Sequence, residues 1–268
     1  SLILLTISFF DKFSQFNLKS AIEYILDLSI IIFFISCEKN DSSTNLTIHF
    51  NHTDNISNSL ELDSTSYLNS SSQSYTVNRL WYLISDLKLH NSNGELVDIE
   101  DIHFVDVNNK ETMVIDYGTI DEGIYNKISF TFGLDSSKNI DNQYINYSWQ
   151  SDMFWPNNPM MGSGGYHYMK LEGTYDTINQ FYNCHTGPTM GSDYSFNVEL
   201  PIDFNTNDTE GIMLNIIMNV NNWFENPNNF VLSSNGIMMN MGAQMQLKQN
   251  GQADVFSSSV TYSGKLGR

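Results

Sequence analysis

Histidine, methionine and tryptophan side chains supply the chemistry that this sequence offers. Of its six histidines, His52 lies just after a predicted first strand and His185 stands where a predicted strand runs into a turn. Met153 and Trp155 lie in a short aromatic segment just before a glycine-rich stretch, 162–165. Imidazole together with thioether is a ligand set that suits copper, especially Cu(I). Composition alone favours a plainer interpretation, in which the histidines are satisfied or surface groups and the segment is a core edge.

The sequence lacks the motifs that mark other common kinds of catalytic or binding site. The sequence has no GxSxG, HExxH, Walker or GxGxxG motif and no CxxC pair, so the usual hydrolase, nucleotide-binding and zinc-thiolate sites are not indicated. Asp135, Asp141 and Asp152 could bind calcium but lack the spacing of a calcium loop. We therefore predict that the protein is not an enzyme.

Charge and composition narrow the choice of partners. The chain of 268 residues carries 12 Lys and Arg against 30 Asp and Glu, for a net charge of −18. Such an acidic protein is not expected to bind nucleic acid, which requires clustered basic residues. Aromatic residues make up 13% of the chain, enough for a buried core, and the 2 cysteines exclude a disulfide scaffold.

The N-terminal part resembles an export signal. Residues 28–36 form a short apolar run ending in a small residue, and Cys37 follows at once, before a polar stretch. A run of this length suits a signal peptide better than a membrane span, and a small residue before Cys resembles a bacterial lipobox. We predict a signal or upstream segment over 1–36, lipidated Cys37 with a tether over 37–44, and a periplasmic or cell-surface lipoprotein held to the membrane only by its lipid. The alternative is a buried N-terminal helix with Cys37 as a core thiol.

Alternation of apolar and polar residues predicts the elements that must position these side chains. Asn93-Gly94 marks a hairpin, and one short helix is predicted within 228–247. We predict an all-β fold, a single antiparallel β-sandwich over 45–256, followed by a tail over 257–268. Strands are predicted at 45–51, 74–86, 87–90, 95–99, 102–107, 125–134, 166–172, 195–200 and 211–220.

The order of these motifs resembles the copper-binding MbnP-like domain family, in its Bacteroidetes-type lipoprotein form. The resemblance covers about residues 45–256. Its pieces are Phe50-Asn51-His52, Leu80–Leu89, Gly123–Phe130, Phe132–Asp135, Asn139, Met153-Phe154-Trp155, Gly165-Tyr166, Lys170–Gly173, and His185 with Gly187.

This resemblance implies a function and a site. It implies an extracytoplasmic β-sandwich that binds copper for acquisition, storage or delivery. It carries over His52 and His185 as metal ligands, Met153 as a nearby thioether, and Trp155 as a tryptophan that a dihaem peroxidase-type partner oxidises to kynurenine. The remaining alternative is a β-sandwich module that binds carbohydrate or protein without metal, and copper binding by the purified protein distinguishes the two.

Overall fold

The computed structural model describes residues 44–54, 58–63, 66–159 and 162–264. The chain divides between Ser42 and Ser43, and every described residue belongs to the second unit. The predicted signal segment and Cys37 lie outside the described residues. The strands are β1 (Thr44–Thr53), β2 (Tyr67–Leu68), β3 (Ser74–Tyr75), β4 (Arg79–Asn91), β5 (Leu96–Asp106), β6 (Val114–Ile120), β7 (Ile124–Phe132), β8 (Asn157–Asn158), β9 (Gly162–Ser163), β10 (Met169–Tyr175), β11 (Thr177–Thr186), β12 (Phe196–Asn205), β13 (Gly211–Asn219) and β14 (Phe256–Ser263). The helices are α1 (Gln150–Met153) and α2 (Met241–Ala253), with 3-10 turns at Lys110–Met113, Thr206–Asp208 and Val220–Phe224.

Two sheets face each other, which confirms the predicted β-sandwich. The smaller sheet has the strand order β14-β13-β1-β6, and the larger follows β12-β7-β4-β10-β3-β2, with β5 also paired to β4 and β11 to β10. The pairs are antiparallel except that β1 and β13 run parallel. Within the described ranges, no helix is both long and apolar enough to cross a membrane.

The first strand illustrates how the sequence dictates burial. Side chains alternate between the faces of a strand, and Leu46, Ile48 and Phe50 are accordingly buried at 0%, 0% and 1% exposure. His52 is next in the same series and is buried as well. The strand thus places an imidazole among apolar side chains between the two sheets.

Aromatic rings fill the space between the sheets. Phe132 of β7 stacks on Tyr82 of β4, with ring centroids 5.7 Å apart, and contacts Trp223 at 5.1 Å. Phe256 of β14 completes this cluster from the opposite sheet. Such rings bury large apolar areas and hold the sheets in register, so the larger sheet offers a rigid base for side chains on its outer face.

The long segment between β7 and β10 covers part of that outer face. Trp149 of this segment packs against Phe104 of β5 and Tyr166, at centroid distances of 6.2 and 5.5 Å. Leu83 of β4, whose partner across the ladder is Phe104, is fully buried although it points away from the sandwich interior. The covering segment therefore creates a second buried region outside the sandwich.

Several element boundaries differ from the predictions. The predicted strand over 74–86 is two strands, and the two predicted over 95–107 are one continuous strand, β5. The helix covers 241–253 and so only overlaps the predicted window. Strand β14 runs to Ser263, through the residues predicted as a tail, because its serine-rich sequence is paired to β13 without carrying much apolar surface.

Candidate metal centre

His185 projects from the outer face of the larger sheet. It pairs with Lys170 across the β10–β11 ladder, and side chains of directly paired residues share a face. The neighbouring pair, Leu171 with Cys184, is buried inside the sandwich. His185 therefore lies on the outer side, where its Nε2 is 2.7 Å from Oε1 of Glu172.

His167 meets His185 from the turn that precedes β10. The ring centroids are 5.1 Å apart and the planes are nearly perpendicular, at 87°. Two hydrogen bonds hold His167 to the carbonyl oxygen of Met153. The backbone N of His167 lies 2.6 Å from this oxygen and its Nδ1 lies 3.1 Å from it. His167 is only 4% exposed, so the covering segment encloses this imidazole.

Hydrogen-bond partners fix which nitrogen of each ring carries the proton. A carbonyl oxygen can only accept, so the Nδ1 of His167 donates to Met153 and leaves the Nε2 lone pair free. That Nε2 is buried and has no hydrogen-bond partner among the described residues. The Glu172 carboxylate likewise accepts a hydrogen bond from the Nε2 of His185. The lone pair on the Nδ1 of His185 is then the one that remains for another partner. Histidines that bind metals commonly donate their second N–H to a carboxylate or carbonyl in this way.

The charges around the pair favour a neutral imidazole beside an ionised carboxylate. Burial lowers the pKa of His167 well below its usual value, and the positive charge of Lys170 lowers it further. Burial alone would raise the pKa of Glu172, but the hydrogen bond from His185 and the charge of Arg79 outweigh it and lower that pKa. The Arg79 guanidinium lies 2.8 Å from the second carboxylate oxygen of Glu172.

Trp155 forms the inner wall of the centre. Its side chain is 0% exposed, and its ring centroid lies 4.8 Å from that of His167. Its Nε1 is buried without a partner in the described part of the chain. A Cβ on Gly187 would come within 2.4 Å of the Trp155 ring, so only glycine at this position allows the ring to pack here.

Helix α2 supports the other side of the centre. Gln244, which is fully buried, donates from Nε2 to the backbone oxygen of His185 at 2.8 Å and accepts from the backbone N of Gly187 at 3.2 Å. One side chain thus fixes the backbone on both sides of the turn that ends β11. The position of His185 depends on the helix as well as on the sheet.

This arrangement suits a metal of low coordination. Two imidazoles that share one ion through bonds of about 2 Å have ring centroids at most about 6 Å apart, and those of His167 and His185 are 5.1 Å apart. The described residues contain no cluster of three or more His, Cys, Asp or Glu that could hold a metal. The pair therefore falls short of the four protein ligands typical of a structural zinc site, whereas imidazole is a good copper ligand.

His52, in contrast, lies away from this pair. Its Nε2 is 3.0 Å from the hydroxyl of Tyr82, inside the sandwich and beside a cavity of about 550 Å³. Tyr82, the partner of His52, pairs with Met169, and His185 pairs with the next residue, Lys170. The side chains of Tyr82 and His185 therefore leave the larger sheet on opposite faces. Burial lowers the pKa of His52 to about 3. The geometry does not favour the shared site predicted for His52 and His185.

The structure thus brings together part of the predicted set and adds a residue. Trp155 and His185 meet around His167, and Met153 contributes its backbone carbonyl. The sequence pattern gave His167 no special role, since in a straight strand it would simply face away from Tyr166 and Tyr168. Its position two residues after the glycine-rich stretch was the available signal, because such stretches allow tight turns.

Comparison with solved structures identifies a similar fold. The chain resembles MbnP from Methylosinus trichosporium with a TM-score of 0.54 and 12% sequence identity, over 82% of this chain and 99% of that chain. At this identity the likeness shows the fold. A comparison with curated proteins gives no significant match.

A family model provides the more specific evidence. The MbnP family model matches residues 43–241, well over half of the chain. The matched region includes Trp155, His167 and His185 and ends where α2 begins. The chain therefore belongs to the MbnP family.

Proposed function

We propose that the protein binds a copper ion through His167 and His185 and holds it for acquisition, storage or delivery. The observation that carries the proposal is the pair of neighbouring imidazoles, each with one nitrogen engaged by an acceptor and the other left as a donor for a metal. Membership of the MbnP family supports it, because that family is associated with copper and with methanobactin systems.

The surrounding residues have defined parts in this proposal. Met153 and Glu172 orient the two rings through hydrogen bonds, and Trp155 closes the inner side against water. The lowered pKa of His167 keeps its ring neutral at physiological pH, so a metal need not displace a proton from it. The net charge of −18 attracts cations to the protein at long range.

We further propose that Trp155 is the residue modified in this protein. Its indole lies against His167 and its Nε1 has no partner within the described ranges, so an oxidised form could contribute a donor beside the metal. The resemblance suggests kynurenine as that form and a dihaem peroxidase-type protein as the oxidising partner. Intact-mass measurement of protein purified from its host would test this, because unmodified Trp155 in copper-loaded protein would contradict it.

Copper titration of single variants tests the ligand assignment. Cu(I) affinity would be measured in competition with a chromophoric chelator for His167→Ala, His185→Ala and His52→Ala. His90→Ala is the matched control, since His90 lies on β4 with its Nε2 2.7 Å from Ser129 Oγ. We expect the first two variants to lose more than about 100-fold in affinity, beyond the usual effect of an outer-shell partner, and His90→Ala to be unchanged.

Three outcomes would contradict the assignment. Unchanged affinity in both His167→Ala and His185→Ala would refute the centre described here. A loss confined to His52→Ala and His185→Ala would favour the pair that the family resemblance suggests. If the purified wild-type protein binds no copper, the alternative of a metal-free binding module for carbohydrate or protein takes its place.

We also propose a location. Lipidation at Cys37 would hold the protein at a membrane in the periplasm or on the cell surface, where it would act as a binding protein and not as an enzyme. The support for this proposal is the sequence around Cys37 alone.

A further inference from the structure

A cluster of exposed methionines lies next to the candidate metal centre. Four of the five strongly exposed methionines in the described part of the chain occur in two short segments, and we call these four the methionine surface. They are Met190, Met239, Met241 and Met245, with exposures of 55%, 52%, 44% and 44%. Large apolar side chains are usually buried, so four exposed thioethers in two segments call for an explanation.

Hydrogen bonds hold the two segments together. The hydroxyl of Thr189 donates to the backbone oxygen of Met238 at 2.9 Å, which ties the turn carrying Met190 to the residues that precede α2. Gln244 makes a second connection, to the backbone N of Gly187 at 3.2 Å. The turn that carries Met190 therefore lies beside the segment that leads into α2 and carries the other three methionines.

Helix α2 presents two of these thioethers on one side. Met241 and Met245 are four residues apart, and such residues are neighbours on a helix surface, with about 5–6 Å between Cβ atoms. Gln244 and Leu247 of the same helix are fully buried. The helix thus packs through its other residues and does not need Met241 or Met245 for its core contacts.

We propose that the methionine surface is a second metal site, which binds a soft monovalent cation such as Cu(I). Thioether sulfur is a soft, neutral ligand that favours Cu(I) over harder ions. The choice of copper as the natural occupant rests on the proposed function, whereas the soft-metal site itself rests on the thioethers. Gln244 contacts the backbone of His185 on one side and belongs to the helix of Met241 and Met245 on the other. The site therefore adjoins the imidazole pair.

Methyl NMR with silver provides a direct test. Ag(I) is a soft cation with no accessible second oxidation state, and it would be titrated into full-length protein carrying 13C-methyl methionine. We expect the methyl signals of the methionine surface to shift together and to saturate. Met213, which is 38% exposed on β13 in the opposite sheet, serves as the internal control and should not move. Shifts absent from the methionine surface, or equal to that of Met213, would overturn the proposal.

Variants separate this site from the imidazole pair. In a His167→Ala/His185→Ala background, Ag(I) should still shift the same methyl signals, so failure of the copper centre would not remove the effect. Adding Met239→Leu, Met241→Leu and Met245→Leu should weaken Ag(I) binding at least tenfold, and Met213→Leu should not. Leucine has a similar volume and these positions are exposed, so the fold is retained. Equal binding by the triple-leucine and Met213→Leu proteins would refute the site.

Discussion

Acidification should destabilise this protein through His52. The ring is 4% exposed and its Nε2 lies 3.0 Å from the hydroxyl of Tyr82. Burial lowers its pKa in the folded protein to about 3, against about 6.5 in an unfolded chain. Below that unfolded pKa the unfolded state therefore binds more protons than the folded state, and stability falls as the pH falls. The loss begins near the unfolded pKa and ends near the folded one.

The size of the effect follows from the two pKa values. At pH 4.5 the folded state still keeps His52 neutral, while the unfolded state gains its proton two pH units below its pKa. At 1.36 kcal/mol per unit, the free energy of unfolding should drop by about 2.7 kcal/mol from this residue alone. Above pH 7 its contribution to the pH dependence should vanish.

Urea denaturation between pH 4.5 and 7.5 measures this change in the free energy of unfolding. The three proteins compared are the wild type, the single variant Tyr82→Phe and the double variant His52→Phe/Tyr82→Phe. His52→Phe/Tyr82→Phe removes the titrating ring and the hydroxyl that would otherwise be left unpaired, at similar volume. Tyr82→Phe alone keeps His52 and is the control, because burial and not the hydroxyl causes the low pKa. We expect the double variant to lose about 2.7 kcal/mol less than wild type across this range, and Tyr82→Phe to keep the wild-type dependence.

An identical pH dependence in all three proteins would refute this account of His52. Copper titration of the same double variant adds an independent check. If the copper centre is formed as proposed, the double variant should bind copper as tightly as wild type, and a large loss would return His52 to the ligand set.

Three further predictions concern the centre and the anchor. Glu172→Gln keeps the size of the side chain and an acceptor oxygen but removes the negative charge. It should weaken Cu(I) affinity by about 10–100-fold in chelator competition. An unchanged affinity would mean that Glu172 does not orient a ligand. Gly187→Ala should displace the Trp155 ring and cost about 1–3 kcal/mol of stability, with altered tryptophan fluorescence. Gly236→Ala is the control, because a Cβ at that position meets nothing within 4 Å. It should change neither the stability nor the tryptophan fluorescence. Cys37→Ser should move the protein from the membrane to the soluble fraction, and continued membrane association would contradict lipidation.

Local patterns in the sequence predicted the parts of the fold that depend on neighbouring residues. The alternation of Leu46, Ile48 and Phe50 predicted the strand β1, in which these three side chains share the buried face. Asn93-Gly94 predicted the hairpin between β4 and β5, where Gly94 has a φ of 87°. Both signals arise within a few residues, from the two-residue period of a strand and from the left-handed conformation that glycine adopts readily.

Features that depend on distant partners were not predictable in the same way. Strand β14 carries little apolar surface and is a strand because β13 pairs with it. The parallel pairing of β1 with β13 joins residues more than 150 positions apart in the chain. No local pattern specifies such a partner, since alternation states which face is buried but not what lies beside it.

The same distinction divides the candidate site. The sequence by itself determined a β-sandwich rich in aromatic residues and the chemical character of the His, Trp and Met side chains, and the family resemblance singled out His185 and Trp155 as candidate site residues. Only the tertiary structure decided that His185 meets His167 and that Gly187 makes room for Trp155. The physical reason is that a shift of one position along β10 and β11 moves a side chain to the other face of the sheet. The geometry of the candidate site therefore depends on strand register and on the turn at His167, both of which are set by packing across the whole domain.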